Sequence, residues 1–112
     1  MTSHAKGILR QIRDAAAKCI LFLPHAISQM NAPERMIATW EVRAVVFEGT
    51  VVEDYPEDAR SYSCLMLGYG DSGRPLHVVC APKADYLAVI TAYLPSPAQW
   101  APDWRTRKER CL

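Results

Sequence analysis

Hydrophobic positions along the chain change their period once, near Gly49, and that change separates a helical half from a strand half. Over residues 3–18, Ile8, Ile12, Ala15 and Cys19 recur at steps of three and four, with Arg10, Arg13 and Asp14 on the other side. That spacing predicts an amphipathic helix, which Ser3 can cap. ILFL at 20–23 reads as a short strand or as a continuation of the helix. Pro24 suits the first turn of a second helix, where its missing N–H would be unpaired anyway, and His25, Gln29 and Met30 fall on that helix. A third helix is expected over 38–48, with an apolar stripe of Trp40, Val42, Val45 and Val46 and with Trp40 in the core. Gly49 then stands just past its last residue, a common place for a helix to stop.

From Thr50 the pattern alternates. Runs near 50–56, 62–69, 74–81 and 86–94 read as strands, rich in Val, Leu, Ile, Thr and Tyr. Pro56-Glu57-Asp58, Gly70-Asp71-Ser72-Gly73 and Pro82-Lys83 supply turn residues between them. Links this short imply antiparallel neighbours, because a parallel pair needs a crossover of about a dozen residues. The expected fold is α+β, with N-terminal helices packed on one side of a four-stranded antiparallel meander. After Leu94, prolines at 95, 97 and 102 interrupt regular structure, and Trp100 and Trp104 are expected to pin this tail to the domain. The predicted organisation is a helical extension (1–19), one α+β domain (20–104) and a basic tail (105–112).

Alternation also sorts side chains onto faces. In RPLHVVCAPKADYLAVITAY (74–93), Leu76, Val78 and Cys80 share one face of the first strand and His77 and Val79 the other. On the second strand, Ala88, Ile90, Ala92 and Leu94 share a face opposite Val89, Thr91 and Tyr93. His77, Thr91 and Tyr93 are therefore expected together, behind an apolar hairpin face. Glu53 and Tyr55 share strand parity and are candidates to join them.

Composition narrows the picture only a little. The chain has 112 residues, half of them hydrophobic, with a net charge of +1, which suits one ordinary globular domain. Acids concentrate in 34–58, where seven Asp and Glu face two Arg, whereas both ends are basic. A strongly basic nucleic-acid footprint is excluded by charge alone. Cysteines at 19, 64, 80 and 111 lack metal-ligand spacing, so neither a structural metal nor another cofactor is expected. No run approaches the roughly 20 apolar residues of a membrane span, and a reduced cytoplasmic protein is the expectation.

Ordered motifs run through most of the chain: His25-Ala26 with Gln29-Met30, Arg35-Met36-Ile37, Glu41-Val42, GTVVEDYPED (49–58), SCLMLG (63–68), RPLHVVCAP (74–82) and ITAYLP (90–95), closed by Trp100, Arg105 and Arg107. Across residues 25–108 these resemble a bacterial family catalogued as domain of unknown function 4258. Gln29 stands where the commoner form of that family carries arginine. The family is similar to the RelE/BrnT-like toxins, and the resemblance implies a RelE-like fold. It also implies a metal-independent endoribonuclease held inactive by a neighbouring antitoxin, a zinc-ribbon plus helix-turn-helix protein.

Such chemistry needs a base for the 2′-OH, an acid for the leaving oxygen and cations for the phosphate. His77 is the first acid/base candidate because its pKa lies near working pH. His25, at a helix N-terminus, would be kept neutral there. Tyr93 could donate a proton or stack on a base, and Glu53 could act as a base or orient a histidine. Arg35 and Arg74 are candidate phosphate ligands, with Tyr55 and Thr91 beside the substrate. The alternative is a noncatalytic domain that binds a small ligand or a protein through the same sheet face.

Overall fold

The computed structural model describes residues 3–56 and 62–108. Helix α1 (Ser3–Lys18) leads into a short strand β1 (Ile20–Phe22), helix α2 (Pro24–Met30) and helix α3 (Thr39–Glu48). Strands β2 (Thr50–Tyr55), β3 (Ser63–Tyr69), β4 (Pro75–Pro82) and β5 (Leu87–Tyr93) follow, with a single 3₁₀ turn at Asp71–Gly73. The fold is α+β, but the sheet is mixed and has five strands in the order β1-β5-β4-β3-β2. β2 to β5 pair antiparallel in chain order. The four-stranded expectation omits β1, which adds to the far edge parallel to β5. α2, α3 and the three strands β2–β4 together form the long connection that a parallel pair needs.

All three helices cover one face of the sheet. Ile8, Ile12, Ala26, Met30, Val42, Val45 and Val46 meet Cys64, Met66, Leu76, Val78, Cys80, Val89 and Ala92 in one core. α1 ends at Lys18, so Cys19 leaves the helical stripe and is exposed, and Ala16 takes the buried place. Trp40 is not core: it is 54% exposed, and Glu41 turns inward in its stead. Gly49 closes α3 with φ −86°, outside the left-handed region. Its glycine is explained by space, since a Cβ there would collide with the carbonyls of Leu67 and Val45.

Two bulges reset the alternation. In β5 the register against β4 shifts between Val79 and Cys80, which leaves Ile90 as the extra residue. Val89 therefore faces Cys80 in the core and not Thr91 and Tyr93, while Ala88 moves to the opposite face beside Ala81. β2 has a similar shift between Val51 and Glu53, which puts Thr50 and Glu53 on one face although they are three apart.

No helix among the described residues is long and apolar enough to cross a membrane.

Candidate functional site

On the face turned away from the helices, side chains from four strands line up in rows. Ladder pairing sets Thr50, Leu67, His77 and Tyr93 side by side in one row, and Glu53, Leu65, Val79 and Thr91 in the next. Tyr55 follows Glu53 on β2. Of the residues expected at the site from the sequence, His77, Tyr93, Glu53, Tyr55 and Thr91 thus share this face.

The segment after β5 crosses over this face as a strap. Trp100 is buried against His77, with ring centroids 4.5 Å apart and an interplanar angle of 88°. Arg107 lies over the Trp100 ring, 4.6 Å from its centroid, and pairs with Glu53 through two bonds of 2.7 and 3.0 Å. Arg105 bonds to Thr50 Oγ1 and to the Val51 carbonyl. The predicted basic tail is therefore fastened to β2 as far as Arg107, and residues 109–112, including Cys111, lie outside the described residues.

His77 is fully buried in this sandwich. Its Nε2 lies 2.8 Å from the Trp104 carbonyl, which can only accept, so Nε2 carries the proton. Nδ1 is then the acceptor, and the Tyr93 hydroxyl 3.2 Å away donates to it. Trp104 adopts a left-handed backbone (φ 59°), a conformation that costs a non-glycine residue about 1–2 kcal/mol. Burial depresses the His77 pKa below its ordinary value, partly offset by the Trp104 carbonyl, so the ring is neutral at pH 7. Burial likewise raises Tyr93, which is partly buried and remains a phenol.

Glu53 is held below the usual carboxylate range, first by its bonds from Arg107 and then by the Tyr55 hydroxyl at 2.6 Å. Burial and the Glu53 carboxylate push Tyr55 up to about 12.

Three candidates sit elsewhere. His25 is exposed on α2, whose Ala26 and Met30 pack into the core, and both ring nitrogens of His77 are taken by other groups. Arg74 spends its guanidinium on Glu41, at 2.8 and 3.0 Å, and on the carbonyls of Arg35 and Met36. Arg35 donates to Gln29 Oε1 at 2.6 Å, so the glutamine at 29 binds an arginine. Burial alone would raise Glu41, but bonds from Arg74 and from the backbone N–H groups of Ala38 and Asp71 overcome it and hold the carboxyl at about 2. That cluster ties α3 to the turn before β4.

Sequence reasoning missed the part played by Arg107 and placed Trp100 only as an anchor. The Trp100-to-Arg107 stretch carries the signal, an aromatic followed by alternating arginines. Its partner Glu53 is 54 residues away, a separation that no local pattern reports. Among the described residues no group of three or more His, Cys, Asp or Glu side chains is placed to hold a metal ion.

Residues 22–94 match the family described as Domain of unknown function (DUF4258), which stops short of the strap and leaves α1 outside. No curated protein matches the chain. No solved structure matches it either.

Proposed function

We propose that this chain, which belongs to the family described as Domain of unknown function (DUF4258), is a toxin-like endoribonuclease working at Tyr93 and Arg107. The reading takes the fold as RelE-like and the protein as a bacterial, cytoplasmic one, with a zinc-ribbon plus helix-turn-helix antitoxin as its partner. The observation that supports it is the Tyr93–His77 pair. A neutral imidazole with a fixed tautomer offers its acceptor nitrogen to a partly buried phenol.

His77 does not touch substrate, since it is fully buried. It acts as a positioning residue and proton store behind Tyr93. When the 2′ oxygen attacks the adjacent phosphorus, its proton passes to the Tyr93 oxygen while the phenol proton passes to His77 Nδ1. The O2′–P bond forms, the P–O5′ bond breaks, and the leaving 5′ oxygen takes a proton from water. The products are a 2′,3′-cyclic phosphate and a 5′-hydroxyl. The imidazolium formed is stabilised by the Trp104 carbonyl and the nearby Glu53 carboxylate, and returns its proton through Tyr93. Arg107, with its side chain 59% exposed, offers charge to the phosphate from the solvent side.

Incubating the protein with an oligoribonucleotide tests this. Wild type should cut, and Tyr93→Phe should lower the rate by about 10²–10⁴-fold, the usual size of one acid/base contribution, with the thermal transition retained. Equal rates for the two proteins would refute the role of Tyr93.

A second reading, a noncatalytic domain binding a ligand or protein on this face, is favoured by how fully the cations are engaged. Arg107 is paired with Glu53 and Arg74 with Glu41. On that reading the wild-type protein cuts no RNA, and His77 serves only to fasten the strap.

A further inference from the structure

At the end of the sheet beside the His77 row, a cavity of about 310 Å³ opens between α3 and the strap, lined in part by Glu48, Thr50, Leu67, Tyr69 and Arg105. We infer that this cavity is a subsite for a guanine base next to the scissile phosphate, an inference that rests on the ribonuclease reading above. Its volume falls at the low end of ligand sites, about 300–1,000 Å³, which is room enough for one base.

Tyr69 supplies the stacking surface: it is 55% exposed on the same strand as Leu67 and lies on the same sheet face. Exposed aromatics on a sheet face are the usual platform for an unstacked RNA base.

Glu48 supplies the choice of base. It is the last residue of α3, whose final turn holds no basic residue, a place where the helix dipole disfavours negative charge. Helix stability would prefer a cation there. The other carboxylate lining the cavity, Asp103, already accepts from the Arg105 and Thr106 N–H groups and the Thr106 hydroxyl. Among the described residues the exposed Glu48 carboxylate has no such partner. A carboxylate only accepts, and guanine alone among the four bases presents two adjacent donors, N1–H and N2–H, that match its two oxygens. Adenine and cytosine offer a single amino group, and uracil a single ring N–H.

The position relative to the chemistry follows from the ladder. Leu67 in the cavity wall is the direct neighbour of His77, which is the neighbour of Tyr93. A base held here directs its attached phosphate toward that row. Arg105, tethered to Thr50 and Val51 at the cavity rim, adds positive charge along the way.

Calorimetric titration of the full chain with GMP, AMP, CMP and UMP tests the subsite independently of any cleavage. GMP should bind at least about tenfold more tightly than the others, as expected for a two-bond base contact. Glu48→Gln should abolish that preference without changing AMP affinity, and Tyr69→Ala should weaken all four. Equal affinities for the four nucleotides, or a preference surviving in Glu48→Gln, would overturn the subsite. A GMP preference in a protein that cuts no RNA would uphold the subsite and remove the catalytic reading.

Discussion

Replacing His77 with glutamine separates its two physical roles. The amide can still donate to the Trp104 carbonyl, but nothing replaces the Nδ1 acceptor for Tyr93 or the edge contact with Trp100. One neutral hydrogen bond is worth about 0.5–1.5 kcal/mol and one aromatic contact about 0.5–1.5 kcal/mol, so His77→Gln should be less stable by about 1–3 kcal/mol at pH 8. The pH dependence carries the sharper content. Because burial depresses the folded-state pKa of His77, the unfolded chain binds a proton below its ordinary value of about 6.5 that the folded chain refuses. Stability from the neutral ring is complete above that pH and is lost as pH falls toward the depressed value, at up to about 1.4 kcal/mol per unit. Glutamine has no such term, so the gap between the proteins should shrink from pH 7 to pH 5. Urea titrations of both proteins at half-unit intervals measure it. A gap that stays constant or widens on acidification would mean that the folded ring takes up its proton at least as readily as the unfolded one, and the neutral Tyr93–His77 pair would be wrong.

Two further outcomes test the packing. Gly68→Ala should cost about 1–3 kcal/mol by overpacking, because a Cβ there would come within 2.9 Å of Val45 on α3; thermal denaturation reads this. Cys64 and Cys80, opposite one another in the ladder and fully buried, should resist a thiol reagent until the protein unfolds, while exposed Cys19 reacts at once. The mutual contact and burial push the Cys80 thiol up, which adds to that protection.

Periodicity located α1, α3 and the four strands β2–β5 because each buries one face, and burial leaves its mark at 3.6 or 2 residues. It failed where one residue is inserted. The bulge at Ile90 sends Val89 to the core and Ala88 to the other face, and nothing in LAVITAY marks it. β1 is too short to declare its direction, and its parallel pairing with β5 depends on where α2 and α3 return the chain. Trp40 misled because a large apolar residue at helical spacing resembles core, yet Glu41 has better inward partners in Arg74 and the Asp71 N–H. At the site, His77 and Tyr93 were legible from strand parity. Arg107 was not, since its role depends on the strap folding back over the sheet to Glu53. Arg35 and Arg74 are attractive by their chemistry, but Arg74 spends its guanidinium inside the fold and Arg35 bonds to Gln29.

The most direct test of the ribonuclease reading uses two oligonucleotides of one sequence, all-ribose and all-2′-deoxy, incubated with the wild-type protein and analysed by mass spectrometry. The account predicts fragments ending in a 2′,3′-cyclic phosphate from the ribose strand and an intact deoxy strand. Cleavage of both, or of neither, would contradict it.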